Sequence, residues 1–176
     1  DEPSGLQIGF PVEPKDMRAF ELEAQRILPW FNPEPNVLGA SIKSLEAPTD
    51  VIGPLSIYQN IPVWTNNYHR EHTTFVKMGH VIYPVSWESA GLDDTKDPAL
   101  ALIKNHSAGS IYIFDIPIGM LEVAASREGL QYDATTRKNI KEVFTNIASQ
   151  LGEYLENKVS DYRKTYNRFE AMLRIS

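Results

Sequence analysis

Apolar residues recur along this chain at two different spacings. Between 17 and 28 they fall at the three- and four-residue intervals of an amphipathic helix, with charged residues largely on its other face. Elsewhere, short runs rich in β-branched and aromatic residues, bounded by Gly or Pro, indicate strands. The predicted strands cover 6–12, 55–58, 61–65, 73–78, 81–85 and 110–116. Gly79 and His80 are predicted to form either a tight hairpin turn or a bulge.

The C-terminal part of the chain, 133–174, has the spacing of a single long helix. Asp133 is its predicted N-cap, with Thr135 and Thr136 as neighbouring alternatives. Unbroken, the helix would be about 60 Å long, which is more than a small domain spans. We therefore expect it either to break near Gly152 or to project outward. Its aromatic stripe either pairs with a second copy of the chain or folds back onto the domain.

Together these elements predict an α+β fold: a mixed sheet, the helix at 17–28 packed against it, and a long C-terminal helix. Segments rich in Pro or polar residues at 31–35 and 88–98 are predicted loops. The expected organisation is a first segment at 1–12, a domain at 13–132 and a helical extension at 133–176. A chain that opens on Asp-Glu-Pro-Ser and leads into a predicted strand has the character of a piece of a longer protein.

Composition narrows the classes of function. The 176 residues carry 17 basic and 23 acidic side chains, a net charge of −6, which argues against a protein that mainly grips nucleic-acid phosphates. The absence of cysteine excludes a disulfide framework, a thiolate zinc site and a cysteine nucleophile. No apolar run approaches the roughly 18 residues that a transmembrane helix needs, and no signal-peptide pattern opens the sequence.

The most informative stretch is 119–132, where Ser126, Arg127 and Glu128 stand between a strand and the start of the long helix. The guanidinium of an arginine is planar and permanently charged, so in such a connection it can reach out to a phosphate or a carboxylate. The sequence Ser-Arg-Glu-Gly-Leu-Gln at 126–131 resembles the catalytic loop in the middle domain of the ninety-kilodalton heat-shock chaperones. This resemblance implies that Arg127, and more weakly Gln131, reach the ATP held by an N-terminal domain, with Ser126 beside Arg127 in the cofactor site.

A wider resemblance is to phage proteins of the RIIA type, which are associated with lysis inhibition and have the architecture of GHKL-class ATPases. It rests on Met-Gly-His-Val-Ile-Tyr-Pro at 78–84, on Ala-Ser-Arg-Glu-Gly-Leu-Gln-Tyr at 125–132, and on the opening 4–12. The resemblance implies a middle, or transducer, domain with a sheet like that of ribosomal protein S5. It also implies that 1–12 is the closing strand of an upstream ATPase domain.

The same resemblance implies cofactors and partners. ATP and Mg²⁺ would be bound mainly by the upstream domain, and the protein would be a homodimer with a phage or host protein as its client. The expected location is the cytoplasm of an infected bacterial cell, with membrane association as an option. The GHKL nucleotide motifs, a P-loop and a dinucleotide-binding fingerprint are all missing from these residues. We therefore expect this chain alone neither to bind nor to hydrolyse ATP.

Several residues have a plainer interpretation beside the functional one. In the plainer interpretation, Arg127 forms a surface salt bridge to Glu122 or Glu128. Gln131, in the same interpretation, satisfies main-chain groups at the start of the helix. The neighbouring Glu128 is predicted to be a structural acceptor rather than a general base. No Gly-x-Ser-x-Gly elbow accompanies Ser126, which argues against a serine nucleophile.

A histidine cluster and an aromatic cluster also have both a functional and a plainer interpretation. His69, His72 and His80 lie close in sequence, but their spacing fits no standard zinc site, so exposed or hydrogen-bonded imidazoles are the favoured interpretation. Five aromatic residues are predicted to belong to the sheet core rather than to a stacking platform for single-stranded nucleic acid: Tyr58, Trp64, Tyr68, Tyr83 and Trp87. At the level of function, the alternatives to the ATPase domain are a non-enzymatic interaction or dimerisation module and, third, a nucleic-acid-binding transducer.

Overall fold

The computed structural model describes residues 5–59, 61, 73–107, 110–126 and 128–175, and for His106 and 168–175 it describes the main chain only. The chain divides into two compact units, Asp1–Leu45 and Glu46–Ser176. The fold is α+β, as the sequence predicts, with a five-stranded mixed sheet and a long C-terminal helix.

The first unit contains helix α1, Met17–Ile27, which continues into a short 3₁₀ turn at Leu28–Trp30. The predicted helix is confirmed, but its expected buried stripe is not, because no residue of α1 is fully buried. The predicted loop at 31–35 is confirmed. Beyond it, the Gln25 side chain donates to the Lys43 carbonyl and accepts from the Lys43 N–H, both at 2.6 Å, which ties that segment to the helix.

The predicted strand at 6–12 is wrong over the described residues, which form no β-ladder. Its alternating apolar side chains are exposed, with Leu6 at 87% and Ile8 at 76%. A strand is stabilised by a hydrogen-bonded neighbour, so an alternating pattern without such a neighbour is not enough to form one.

The second unit contains the sheet, whose strands are β1 (Asp50–Ile52), β2 (Leu55–Tyr58), β3 (Thr74–Met78), β4 (Val81–Pro84) and β5 (Ile111–Asp115). The strand order is β1-β2-β5-β3-β4. β3 and β5 are parallel, and the other three pairs are antiparallel. Four of the predicted strands are confirmed, β1 was missed, and the strand predicted at 61–65 lies outside the described residues except for Ile61.

The hairpin between β3 and β4 forms as predicted, with a two-residue turn at Gly79 and His80 between the paired residues Met78 and Val81. Gly79 has a φ of +62°, which favours glycine because it has no Cβ. A Cβ at this position would also lie 3.1 Å from the Ile118 side chain. β4 lies at the edge of the sheet and ends at Pro84, where a missing N–H breaks no ladder.

Two helices accompany the sheet. α2, Pro98–His106, was not predicted, although its start carries standard signals: Pro98 at its first position and the Asp97 carboxylate accepting from the Ala99 N–H at 3.1 Å. α3, Ala134–Ile175, is one unbroken helix of 42 residues, so the break near Gly152, one of the two predicted alternatives, does not occur.

The first half of α3 belongs to the core. Ile140, Phe144, Ile147 and Leu151 are fully buried there, together with residues of the sheet and of α2. The ring of Phe144 stacks on that of Phe114 in the central strand β5, with centroids 4.3 Å apart. These contacts fix the first half of α3 against the sheet.

The second half of α3 is exposed from Glu156 to Asn167, so over these residues the helix projects and does not fold back. Tyr162 and Tyr166 of the predicted aromatic stripe are 77% and 63% exposed. Lys158 is held at the start of this half by a 3.0 Å ion pair with Asp50 of β1. Within the described side chains the stripe does not fold back onto the domain, and its pairing with a second copy of the chain stays a prediction.

Candidate functional site

The stretch that resembles the catalytic loop lies within 122–131, which we call the arm. Leu130 is buried in the core and Val123 packs against it. Val123 and Leu130 are paired as an antiparallel bridge. Two main-chain hydrogen bonds make this bridge: the Ala124 N–H donates to the Gly129 carbonyl and the Gln131 N–H donates to the Glu122 carbonyl, both at 2.9 Å. They close the arm below its tip.

The tip of the arm faces solvent. Ala125, Ser126 and Glu128 are exposed, and the Ser126 hydroxyl oxygen accepts from the Glu128 N–H at 3.4 Å. Arg127, the central predicted residue, lies outside the described residues, and so do the contacts that would distinguish its catalytic role from a salt bridge. What the structure gives is the position of its two neighbours, both of which are at the exposed end of the arm.

Gln131 stands at the base of the arm and its side chain is exposed, with no hydrogen bond to another described residue. The helix begins after it, at Ala134, and Asp133 supplies the cap. The side chain of Gln131 therefore does not satisfy the helix start, which was the plainer of its two predicted roles.

Two side chains of α3 hold the chain that enters the arm. The hydroxyl oxygen of Thr136 accepts from the Glu122 N–H at 2.9 Å, and the Asn139 amide donates to the Met120 carbonyl at 2.7 Å. Thr136 is fully buried and Asn139 half-buried. The sequence predicts Thr136 only as an alternative helix cap and carries no local signal for Asn139. The available signal was that Thr136 precedes Ile140 by one helical turn, which places a polar side chain on the buried face.

Tyr132 holds the chain that leaves the arm. Its hydroxyl accepts from the Ser86 N–H at 2.8 Å and lies 3.4 Å from the Pro84 carbonyl, to which it donates. Burial raises the pKa of this phenol, and the hydrogen bond from Ser86 offsets part of that increase. The neutral, donating form of Tyr132 is therefore the one that the fold maintains.

Asp133 completes the base of the arm. Its carboxylate accepts from the Thr136 N–H at 2.7 Å, which confirms the predicted N-cap. This hydrogen bond is the main reason that the pKa of Asp133 lies below its usual value of 3.8. Thr136 therefore binds through its N–H to the cap and through its hydroxyl to the arm.

The histidine and aromatic clusters do not form a second site among the described residues. His80 is exposed in the hairpin turn, and His69 and His72 lie outside the described part of the chain. Within that part, no group of three or more His, Cys, Asp or Glu side chains is placed to hold a metal ion. Tyr58 and Tyr83 are buried and Trp87 packs against Phe144, as predicted for sheet core. Trp64 and Tyr68, the other two aromatic residues of that prediction, lie outside the described residues.

A second polar cluster, which sequence analysis missed, joins α3 to the sheet. The Lys158 ammonium lies 4.7 Å above the ring of Tyr154 as well as 3.0 Å from Asp50. Burial, followed by the nearby Asp50 carboxylate, raises the pKa of Tyr154. Because Lys158 and Asp50 are 108 residues apart, no local pattern could have indicated this contact. Its role is structural, since it fastens the helix at the edge of the sheet.

The arm thus presents hydrogen-bonding groups at an exposed end and is held at a well-bonded base. No helix in the described part of the chain has both the length and the apolar character that crossing a bilayer requires. Comparison of the chain with family models, with curated proteins and with solved structures gave no match.

Proposed function

We propose that this chain is the middle, or transducer, domain of a GHKL-class ATPase of the RIIA type. In this proposal the arm carries Arg127 and Gln131 to the γ-phosphate of an ATP that an upstream domain holds together with Mg²⁺. The chain then couples the nucleotide state to the relative position of the two domains. The S5-like sheet pattern, the homodimer, the client protein and the cytoplasmic location are parts of the same proposal.

One observation carries it: the residues that resemble the catalytic loop belong to an arm with an exposed tip and a fixed base. A side chain that acts on a ligand bound to another domain must be exposed, because it has to leave its own domain. It must also start from a defined position, because the geometry of the reacting groups decides the rate. The exposed Ser126 and Glu128, and the bonded Glu122 and Gln131 main chain, satisfy these two requirements.

The chemistry required of the arm is stabilisation of charge. Phosphoryl transfer spreads negative charge over the γ-phosphate oxygens, and an arginine supplied from outside the nucleotide pocket can raise the rate by about 10³ to 10⁵. Gln131 can donate to a phosphate oxygen or orient the attacking water. Because the described residues at the tip of the arm are exposed, the arm would complete an active site rather than constitute one.

The test is ATP hydrolysis by a form of the protein extended upstream to its natural start. We expect turnover by the wild type and a loss of at least about tenfold, or ~1.4 kcal/mol of transition-state stabilisation, in Arg127→Ala and in Arg127→Lys. Arg163→Ala is the matched control, since Arg163 is exposed on the second half of α3 and its substitution should leave the rate unchanged. Turnover that is insensitive to both Arg127 substitutions would refute the catalytic arm.

A second candidate function is a non-enzymatic interaction module, and it is favoured by the exposed stripe on α3. Val159, Tyr162 and Tyr166 lie at alternating three- and four-residue intervals, and each is more than half exposed. If the stripe mediates self-association, Tyr162→Ser combined with Tyr166→Ser should abolish dimers seen by sedimentation, whereas Lys164→Ser, between them in sequence, should not. A monomeric wild type would remove homodimerisation from this candidate.

A further inference from the structure

We infer that Thr136 and Asn139 are positioning residues that set the direction of the arm. The two side chains are one helical turn apart on α3 and bind consecutive parts of the chain that enters the arm, at Glu122 and Met120. Their importance for a reaction rests on the proposed function, but their control of the arm does not.

The arm's own hydrogen bonds do not fix its direction. The two main-chain hydrogen bonds of the Val123–Leu130 bridge join the two sides of the arm to each other. The direction of the arm is fixed by contacts that leave it. Leu130 is buried in the core on the outgoing side, and Thr136 and Asn139 bind the incoming side.

A small rotation at the base is a large displacement at the tip. Ser126 lies four positions after Glu122, which is at most about 13 Å of extended chain. A tilt of about 10° would then move the tip by about 2 Å, and misplacement of a catalytic group by ~1 Å can cost about a hundredfold in rate. The hydrogen bonds at the base of the arm therefore determine how accurately its tip is placed.

The two anchors differ from ordinary helix-surface polar residues. Thr136 is fully buried, and its N–H is already used by the Asp133 cap, so its hydroxyl is held in one place. Because α3 is unbroken and its first half is buried in the core, the anchors move only if the whole first half of the helix moves. The arm and α3 thus behave as one mechanical unit.

Amide hydrogen exchange on the full 176-residue chain tests this inference. Thr136→Val removes the hydroxyl without changing the size of the side chain, and Asn139→Asp removes the donor to Met120. In each variant we expect exchange at the Glu122 and Gln131 amides to accelerate at least about tenfold, with the Tyr112 amide of β5 unchanged. Thr136→Ser should restore the wild-type rates, because it retains the oxygen.

Ser149→Ala is the matched control. The Ser149 hydroxyl donates to the Asn146 carbonyl on the exposed face of α3, and it should leave exchange in the arm unchanged. If the arm amides of Thr136→Val and Asn139→Asp exchange as in the wild type while the fold is intact, the inference is wrong. Should Thr136→Val fail to fold, the half-buried Asn139 variant still decides the question.

The same variants separate this inference from the proposed function. In the upstream-extended protein, Thr136→Val should lower kcat at least about tenfold with unchanged ATP affinity, and Thr136→Ser should recover it. Faster exchange in the arm without any change in kcat would support the positioning role and refute the catalytic arm. Unchanged amide exchange in the arm would refute the positioning role, whether or not the proposed ATPase function is correct.

Discussion

At the residue scale, the base of the arm depends on side chains that bind main-chain atoms. Tyr132, Asp133, Thr136 and Asn139 each satisfy at least one main-chain donor or acceptor. The sequence predicted the Asp133 cap, because capping is a local relation within four residues. It could not predict that Tyr132 reaches Ser86, since the partner is 46 residues away.

The cap should make stability depend on pH in the acid range. The Thr136 N–H lowers the pKa of Asp133 in the folded protein, so the unfolded chain takes up this proton more readily. The contribution of Asp133 is therefore complete above the unfolded pKa, close to 3.8, and is lost as the pH falls through the lower folded value. Urea unfolding at pH 7, 4 and 3 should show Asp133→Ala less stable than the wild type at pH 7, with the difference shrinking toward pH 3.

Asp161→Ala is the control for this pH series, because Asp161 is exposed on the second half of α3. Its unfolding midpoint should follow that of the wild type at each pH. A difference between Asp133→Ala and the wild type that stayed constant from pH 7 to pH 3 would contradict the role of the carboxylate.

At the scale of elements, α3 is one helix with two environments. Hydrophobic periodicity predicted its full length correctly, because the spacing of apolar residues is continuous over both halves. The same periodicity could not show that burial is confined to the first half, since Phe144 and Tyr162 are equally regular members of the pattern. α2 was missed because its buried residues, Leu100 and Ile103, are too few over nine residues to give a clear period.

Substitution along α3 should therefore have unequal effects on stability. Phe144→Ala removes a fully buried ring stacked on Phe114 and should lower the free energy of unfolding by about 3–5 kcal/mol. Val159→Ala, at a position that is 52% exposed, should change it by about 0.5 kcal/mol or less. Chemical denaturation of the two variants measures both values. Comparable losses would mean that the second half of α3 is also packed in solution.

At the scale of the whole molecule, the fold class followed from the sequence but the arrangement of the sheet did not. Strand content and the β3–β4 hairpin are local properties, and the Gly79 turn is part of their signature. The order β1-β2-β5-β3-β4 is not local, because β5 pairs with two strands that precede it by more than thirty residues. The strand predicted at 6–12 was wrong for the same reason. Whether an alternating pattern forms a strand depends on a neighbouring strand supplied by the tertiary structure.

The central position of β5 has a consequence for the protein during its synthesis. β1 pairs with β2 and β3 with β4, and β5, the last of these five described strands in chain order, lies between the two pairs. A nascent chain that has not yet released 111–115 from the ribosome therefore holds two unconnected strand pairs with exposed apolar faces, a state prone to aggregation. Protease resistance of arrested chains should appear only after β5 and the buried half of α3 have emerged. The translation of β5 and of the buried half of α3 would then determine when the chain is protected from misassembly. Translation of the β1–β2 and β3–β4 pairs alone would not be enough.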